Sequence, residues 1–174
     1  MSETRPSTRS DGTAEELPDR QESIARRLVR IIGVQFGLVA VGLHFTWGLP
    51  RALVYFETGT LADPRPYLFV ASGIAVTLAL LGLYMVPEYF PERGVFAFAA
   101  VMMTVWIGGY IWWHLGGHGG AIPGVDGYGH PELGNVAILF SDQHLFQPLD
   151  FATVSSEVIA ITAYLWLLAT GGSS

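Results

Sequence analysis

Ile31–Pro50, IIGVQFGLVAVGLHFTWGLP, runs for twenty residues with no Asp, Glu or Arg. At a rise of about 1.5 Å per residue it makes a helix about 30 Å long, the thickness of a bilayer's hydrocarbon core. Arg26, Arg27 and Arg30 precede it, and Trp47, Arg51 and Tyr55 stand near its far end as interfacial anchors, with the helix free to continue to Phe56. Gly33 and Gly37 form a GxxxG pair, a spacing that lets a neighbouring helix come close. The reading is a membrane span.

Working outward, the pattern recurs. GTLADPRP is a turn signal, followed by a second span, Tyr67–Val86, with no ionisable group except tyrosine hydroxyls. PEYFPERG turns the chain into a third span, Val95–Trp113, which ends in the aromatic group Tyr110, Trp112 and Trp113. The fourth span poses a length problem. Val158–Thr170 is free of charge but too short to cross as a helix, whereas starting at Phe151 gives twenty residues and takes Glu157 inside. The second choice is the better one, and it puts a carboxylate in the outer third of the membrane.

The expected fold is therefore all-α, an integral membrane four-helix bundle. Its spans fall at about 31–50, 67–86, 95–113 and 151–170, with a long outward-facing loop, 114–150, between the third and fourth helices. Residues 24–174 form this domain. Residues 1–23 carry six acids and three arginines with almost nothing to bury, and read as a disordered acidic tail rather than a signal peptide.

Composition agrees with a membrane protein. The chain is 51% hydrophobic and only 14% charged, against roughly 25% charge in soluble domains. No cysteine is present, which excludes disulfides, thiolate metal sites, iron–sulfur clusters and covalent c-type haem. All nine basic residues are arginine, and the net charge is −6, a composition similar to that of salt-adapted haloarchaeal proteins. Nucleic acid is not an expected partner, because no dense basic stripe exists to neutralise phosphates. The expected partners are the lipid bilayer and other membrane subunits. Arg26, Arg27, Arg30 and Arg93 fall at one end of the bundle and only Arg51 and Arg65 at the other. The positive-inside rule then makes this a multi-pass protein of the cell membrane with both termini cytoplasmic.

Four of the five histidines lie between Tyr110 and Asp150: His114, His118, His130 and His144. The fifth, His44, lies about 10 Å below the outer boundary if Arg51 marks it, and Glu157 lies about 9 Å down the fourth span. His114 ends the third span. Three helices thus bring a titratable group to the outer end, where such groups usually pair or work. Imidazole with carboxylate suits a transition metal (zinc, copper, iron or manganese), and the candidate ligands are His44, His114, His118 and Glu157. Non-covalent haem is the neighbouring reading, with His44 and His114 as the axial pair, although they differ in depth by roughly two turns. His130 and His144 read as loop residues. The apolar piece Asn135–Phe146 suits an interfacial or re-entrant helix that would carry Asp142 and His144 over the helix ends. Gln35 is expected to bond across helices, and Met103, Trp106, Tyr110 and Tyr164 to pack.

RIIGVQFGLVAVGLHF in the first span and PYLFVASGIAVTLALLGLYM in the second resemble DoxX-type small membrane proteins, over roughly residues 27–114. That resemblance implies a compact four-helix membrane protein, some relatives being associated with quinone-linked sulfur oxidation. The long histidine loop departs from the compact pattern, and no catalytic motif carries over. Two functional classes follow. In one, the His/Glu site holds a metal or redox cofactor, in a subunit of a membrane redox complex. In the other, the protein is a non-catalytic accessory subunit in which His44 and Glu157 form an interhelical hydrogen bond. A transporter is disfavoured by size and by the lack of an internal repeat.

Overall fold

The computed structural model of the chain describes residues 16–59, 63–115 and 147–171, with side chains from Ile24 onward. Four helices make up these residues: α1 (Glu16–Thr58), α2 (Arg65–Met85), α3 (Glu92–Leu115) and α4 (Pro148–Thr170). No strand occurs among the described residues. Each helix is long and apolar enough to cross a membrane.

α1 is longer than the span read from sequence. It starts at Glu16, inside the stretch read as tail, and runs 43 residues, or about 64 Å. Pro50 lies within it and cannot donate to the carbonyl one turn back. The helix nevertheless continues, with the Arg51 guanidinium donating to the Trp47 carbonyl at 2.9 Å. Gly59, at φ 67°, ends it in the left-handed region that other residues seldom adopt. α2 begins with Pro64 and Pro66, which cost nothing where backbone N–H groups lack helical partners. Asp63 Oδ1 accepts the N–H of Arg65 at 3.0 Å, satisfying one of those orphan donors.

α1 packs most extensively on α4, then on α2; α3 lies against α4 and more lightly against α2. The GxxxG pair explains the first of these contacts. A Cβ at Gly33 would stand 3.0 Å from Ala163 Cβ and 3.1 Å from the Tyr164 ring. One at Gly37 would overlap the Tyr164 hydroxyl. The close neighbour that the glycines admit is thus α4. Around this seam lies the core: Ala40, Val76, Leu80, Phe96, Met103 and Trp106, closed by Tyr164 and Leu167. Gln35 does not bond across helices as expected. It is exposed, because two residues after Gly33 it sits about 200° around α1 from the packed face.

At the end of the bundle nearer the chain termini, Arg26 and Arg30 both bond Glu92, at 2.9 Å each. Arg26 also donates to the Leu167 carbonyl at 3.3 Å and to Thr170 Oγ1 at 3.2 Å. Cationic groups there satisfy free carbonyls and oppose the dipole at the C-terminus of α4. The other end holds the connection from α1 to α2, and with it the candidate site.

Candidate functional site

A cavity of about 300 Å³ opens among all four helices at that end, at the small limit of ligand pockets, which run to about 300–1,000 Å³. α1 contributes Leu43, His44 and Trp47, and α2 contributes Arg65 and Phe69. From α3 come Trp106, Tyr110 and His114, one per turn on a single face, with Gly109 and Trp113 beside them. α4 presents Asp150, Thr153 and Glu157 at helical spacing, together with Leu149 and Val154.

His44 is buried and held on three sides. Its ring stacks on Trp106 with centroids 4.2 Å apart and meets the Phe69 ring edge-on at 4.5 Å. Its Nδ1 lies 3.1 Å from the Ala40 carbonyl. A carbonyl only accepts, so Nδ1 carries the proton, and in a neutral imidazole Nε2 is left as an acceptor. That Nε2 faces Glu157 Oε1 at 3.4 Å. The pair expected from helix depth is therefore brought together. The contact is within ion-pair reach but is not a hydrogen bond, and Oε1 has no hydrogen-bond partner although Glu157 is only 1% exposed. Charge-assisted N–H···O bonds contract to about 2.7–2.9 Å, so the separation is too long for one.

His114 is buried as well, and its Nδ1 lies 2.7 Å from the Tyr110 carbonyl, the same arrangement one helix away. The Tyr110 hydroxyl is buried without a hydrogen-bond partner. Above these groups the Arg65 guanidinium lies 3.1 Å from the Trp113 ring centroid and 5.4 Å from that of Trp47. Asp63 grips Arg65 from the side, at 2.8 Å to Nε and 2.7 Å to Nη2. Burial pushes the Asp63 carboxyl up, but the hydrogen bonds and charge of Arg65 outweigh it and hold the group below its ordinary value of 3.8.

His44, His114 and Glu157 thus line one cavity. His118, His130, His144 and the piece 135–146 lie outside the described residues. Among the described residues no three His, Asp or Glu side chains stand close enough to hold a metal ion. The cavity walls are what sequence reading missed. Spacing alone reads Trp106 and Tyr110 as packing, yet with His114 they fall at i, i+4 and i+8 of one helix face, as Asp150 and Glu157 fall at i and i+7 of another. No protein-family model matches the chain, and neither does any curated protein or solved structure. The DoxX-type resemblance accordingly rests on its apolar, glycine-bearing helices alone.

Proposed function

We propose that the protein is a four-span integral membrane protein that binds a small ligand in the pocket at its outward end, with His44 and Glu157 as the polar anchors. Both termini then lie in the cytoplasm, and the protein serves as the ligand-carrying subunit of a membrane assembly. The observation that carries this reading is the buried Glu157 Oε1, which lines a cavity and lacks a hydrogen-bond partner. A carboxylate oxygen without one is costly in an apolar interior, so a ligand that supplies the bond binds with that cost relieved.

A transition metal is the second reading, and one distance favours it. Two tetrahedral ligands with bonds of about 2.0–2.1 Å stand about 3.3 Å apart, close to the 3.4 Å between Nε2 and Oε1. The Nδ1 bond to Ala40 would be its orienting outer shell. His114 and His118 would have to complete it. The interhelical pair of an accessory subunit needs neither ligand, but it needs the hydrogen bond that the 3.4 Å contact does not make.

Metal analysis and a visible spectrum of the purified protein, alongside a small-molecule screen by thermal shift, test these readings. A ligand at 100 times its Kd should stabilise the fold by about 2.7 kcal/mol, and Glu157→Gln or His44→Ala should remove that gain. A fold that no metal, chromophore or small molecule stabilises would return the pair to a structural role.

A further inference from the structure

The floor of the pocket sets two acceptors against each other. His44 Nε2 is an acceptor because Nδ1–H is committed to the Ala40 carbonyl, and Glu157 Oε1 faces it at 3.4 Å with no donor hydrogen-bonded to it. An imidazolium N–H on Nε2, or a carboxyl O–H on Glu157, would point at the other group and draw the two to about 2.7–3.0 Å, which is not the spacing found. Two facing acceptors call for one group with several donors.

Among the described residues, the charge at the floor of the cavity is negative: Glu157 is the carboxylate there, and the lining guanidinium, Arg65, is neutralised by the two-point grip of Asp63. The walls are aromatic, and the fold already places a cation on them: Arg65 lies 3.1 Å from the Trp113 centroid. Ring faces attract cations by their quadrupole, more strongly away from water. A bare metal ion would use the acceptors but not the walls, and three ligating side chains are not gathered for it among the described residues.

Building on the reading of this cavity as a ligand site, we infer that its ligand is a small protonated amine with an apolar body. The ammonium sits at the floor, donating to Glu157 Oε1 and His44 Nε2. The body lies among Trp47, Phe69, Trp106 and Tyr110. A volume of about 300 Å³ suits a single ring or a short chain. A quaternary ammonium fits less well, since it has no N–H to give the two acceptors.

Saturation binding to the purified full-length protein in nanodiscs, followed by tryptophan fluorescence and calorimetry at neutral pH, tests the inference. The probes are 2-phenylethylammonium, the matched alcohol 2-phenylethanol, the anion phenylacetate, and zinc chloride alone. The amine is expected to bind saturably, one per chain, at least ten-fold tighter than the alcohol, with phenylacetate not binding. Glu157→Gln should weaken the amine at least ten-fold and bring its preference over the alcohol below about three-fold. Equal affinity for amine and alcohol in the wild-type protein, a comparison that needs no variant, would overturn the cation class and leave the ligand site standing. Unchanged amine binding by Glu157→Gln would do the same. Stoichiometric zinc binding without amine binding would overturn the amine in favour of the metal. If none of the four binds saturably, both the inference and the ligand-site reading beneath it fall.

Discussion

Tyr164 shows how far close approach dominates at single residues of this bundle. Its ring lies stacked on Phe96, centroids 5.4 Å apart, and its hydroxyl is buried against Gly37 with no hydrogen-bond partner. A buried hydroxyl without a partner costs about 1–3 kcal/mol, so Tyr164→Phe should leave stability unchanged or raise it by about 1 kcal/mol. Unfolding in mixed detergent micelles measures this, and a clear loss would mean that the hydroxyl has a partner after all. Asp63 gives the opposite case, a polar group whose partner is on hand. Its carboxyl is held below 3.8 in the folded chain, so its contribution is complete above pH 3.8 and is lost as pH falls through the lower folded value. Acid should therefore free Arg65 from Asp63 and change the fluorescence of Trp113, beneath the guanidinium. Asp63→Asn should show the changed signal already at neutral pH. An acid response unaltered by that substitution would point to another carboxylate.

Among the elements, the α1–α4 seam holds the site together, because it carries the glycine notch and, two to three turns further along, the His44–Glu157 contact. Gly37→Leu should push Tyr164 out of its notch at about 1–3 kcal/mol, the usual cost of overpacking. It should also weaken any pocket ligand, although Gly37 does not line the pocket. Loss of stability with unchanged binding would uncouple the seam from the site. How much of this was legible in sequence depends on whether a feature is local. The four apolar runs, the turns at GTLADPRP and PEYFPERG, and the shared depth of His44 and Glu157 follow from spacing and rise along one helix. The identity of α4 as the partner of Gly33 and Gly37 does not, since which helices become neighbours is settled by side chains far apart in the chain. The same limit hid the pocket walls. Trp47, Trp106 and Trp113 each read as interfacial or packing residues, and only the assembled bundle turns them, with Phe69, toward one space.

At the scale of the whole molecule, the question is which end faces out. The surface between the ends is apolar, with Leu53, Leu78, Val101, Val105 and Leu165 all more than half exposed, which suits lipid rather than water. The two ends differ in arginine. Arg26, Arg27, Arg30 and Arg93 gather where Glu92 and the C-terminus of α4 tie three of them down, while Arg51 and Arg65 mark the pocket end. Orientation follows Lys and Arg near the span ends, with little weight on acids. Glu88 and Glu92 therefore do not offset the arginine excess, and the pocket end should face outward. The chain has no cysteine, so single cysteines give labelling with no background. Thr58→Cys, exposed at the end of α1, should react with a membrane-impermeant maleimide on intact cells. Glu88→Cys, exposed in the turn between α2 and α3, should react only after lysis. The reverse pattern would turn the pocket toward the cytoplasm and hand its ligand to an intracellular source. Labelling of both from outside would sink the four-span topology itself. Since an outward pocket meets whatever the surroundings contain, an orientation confirmed in this way would also direct the ligand search to small molecules that reach the cell from outside.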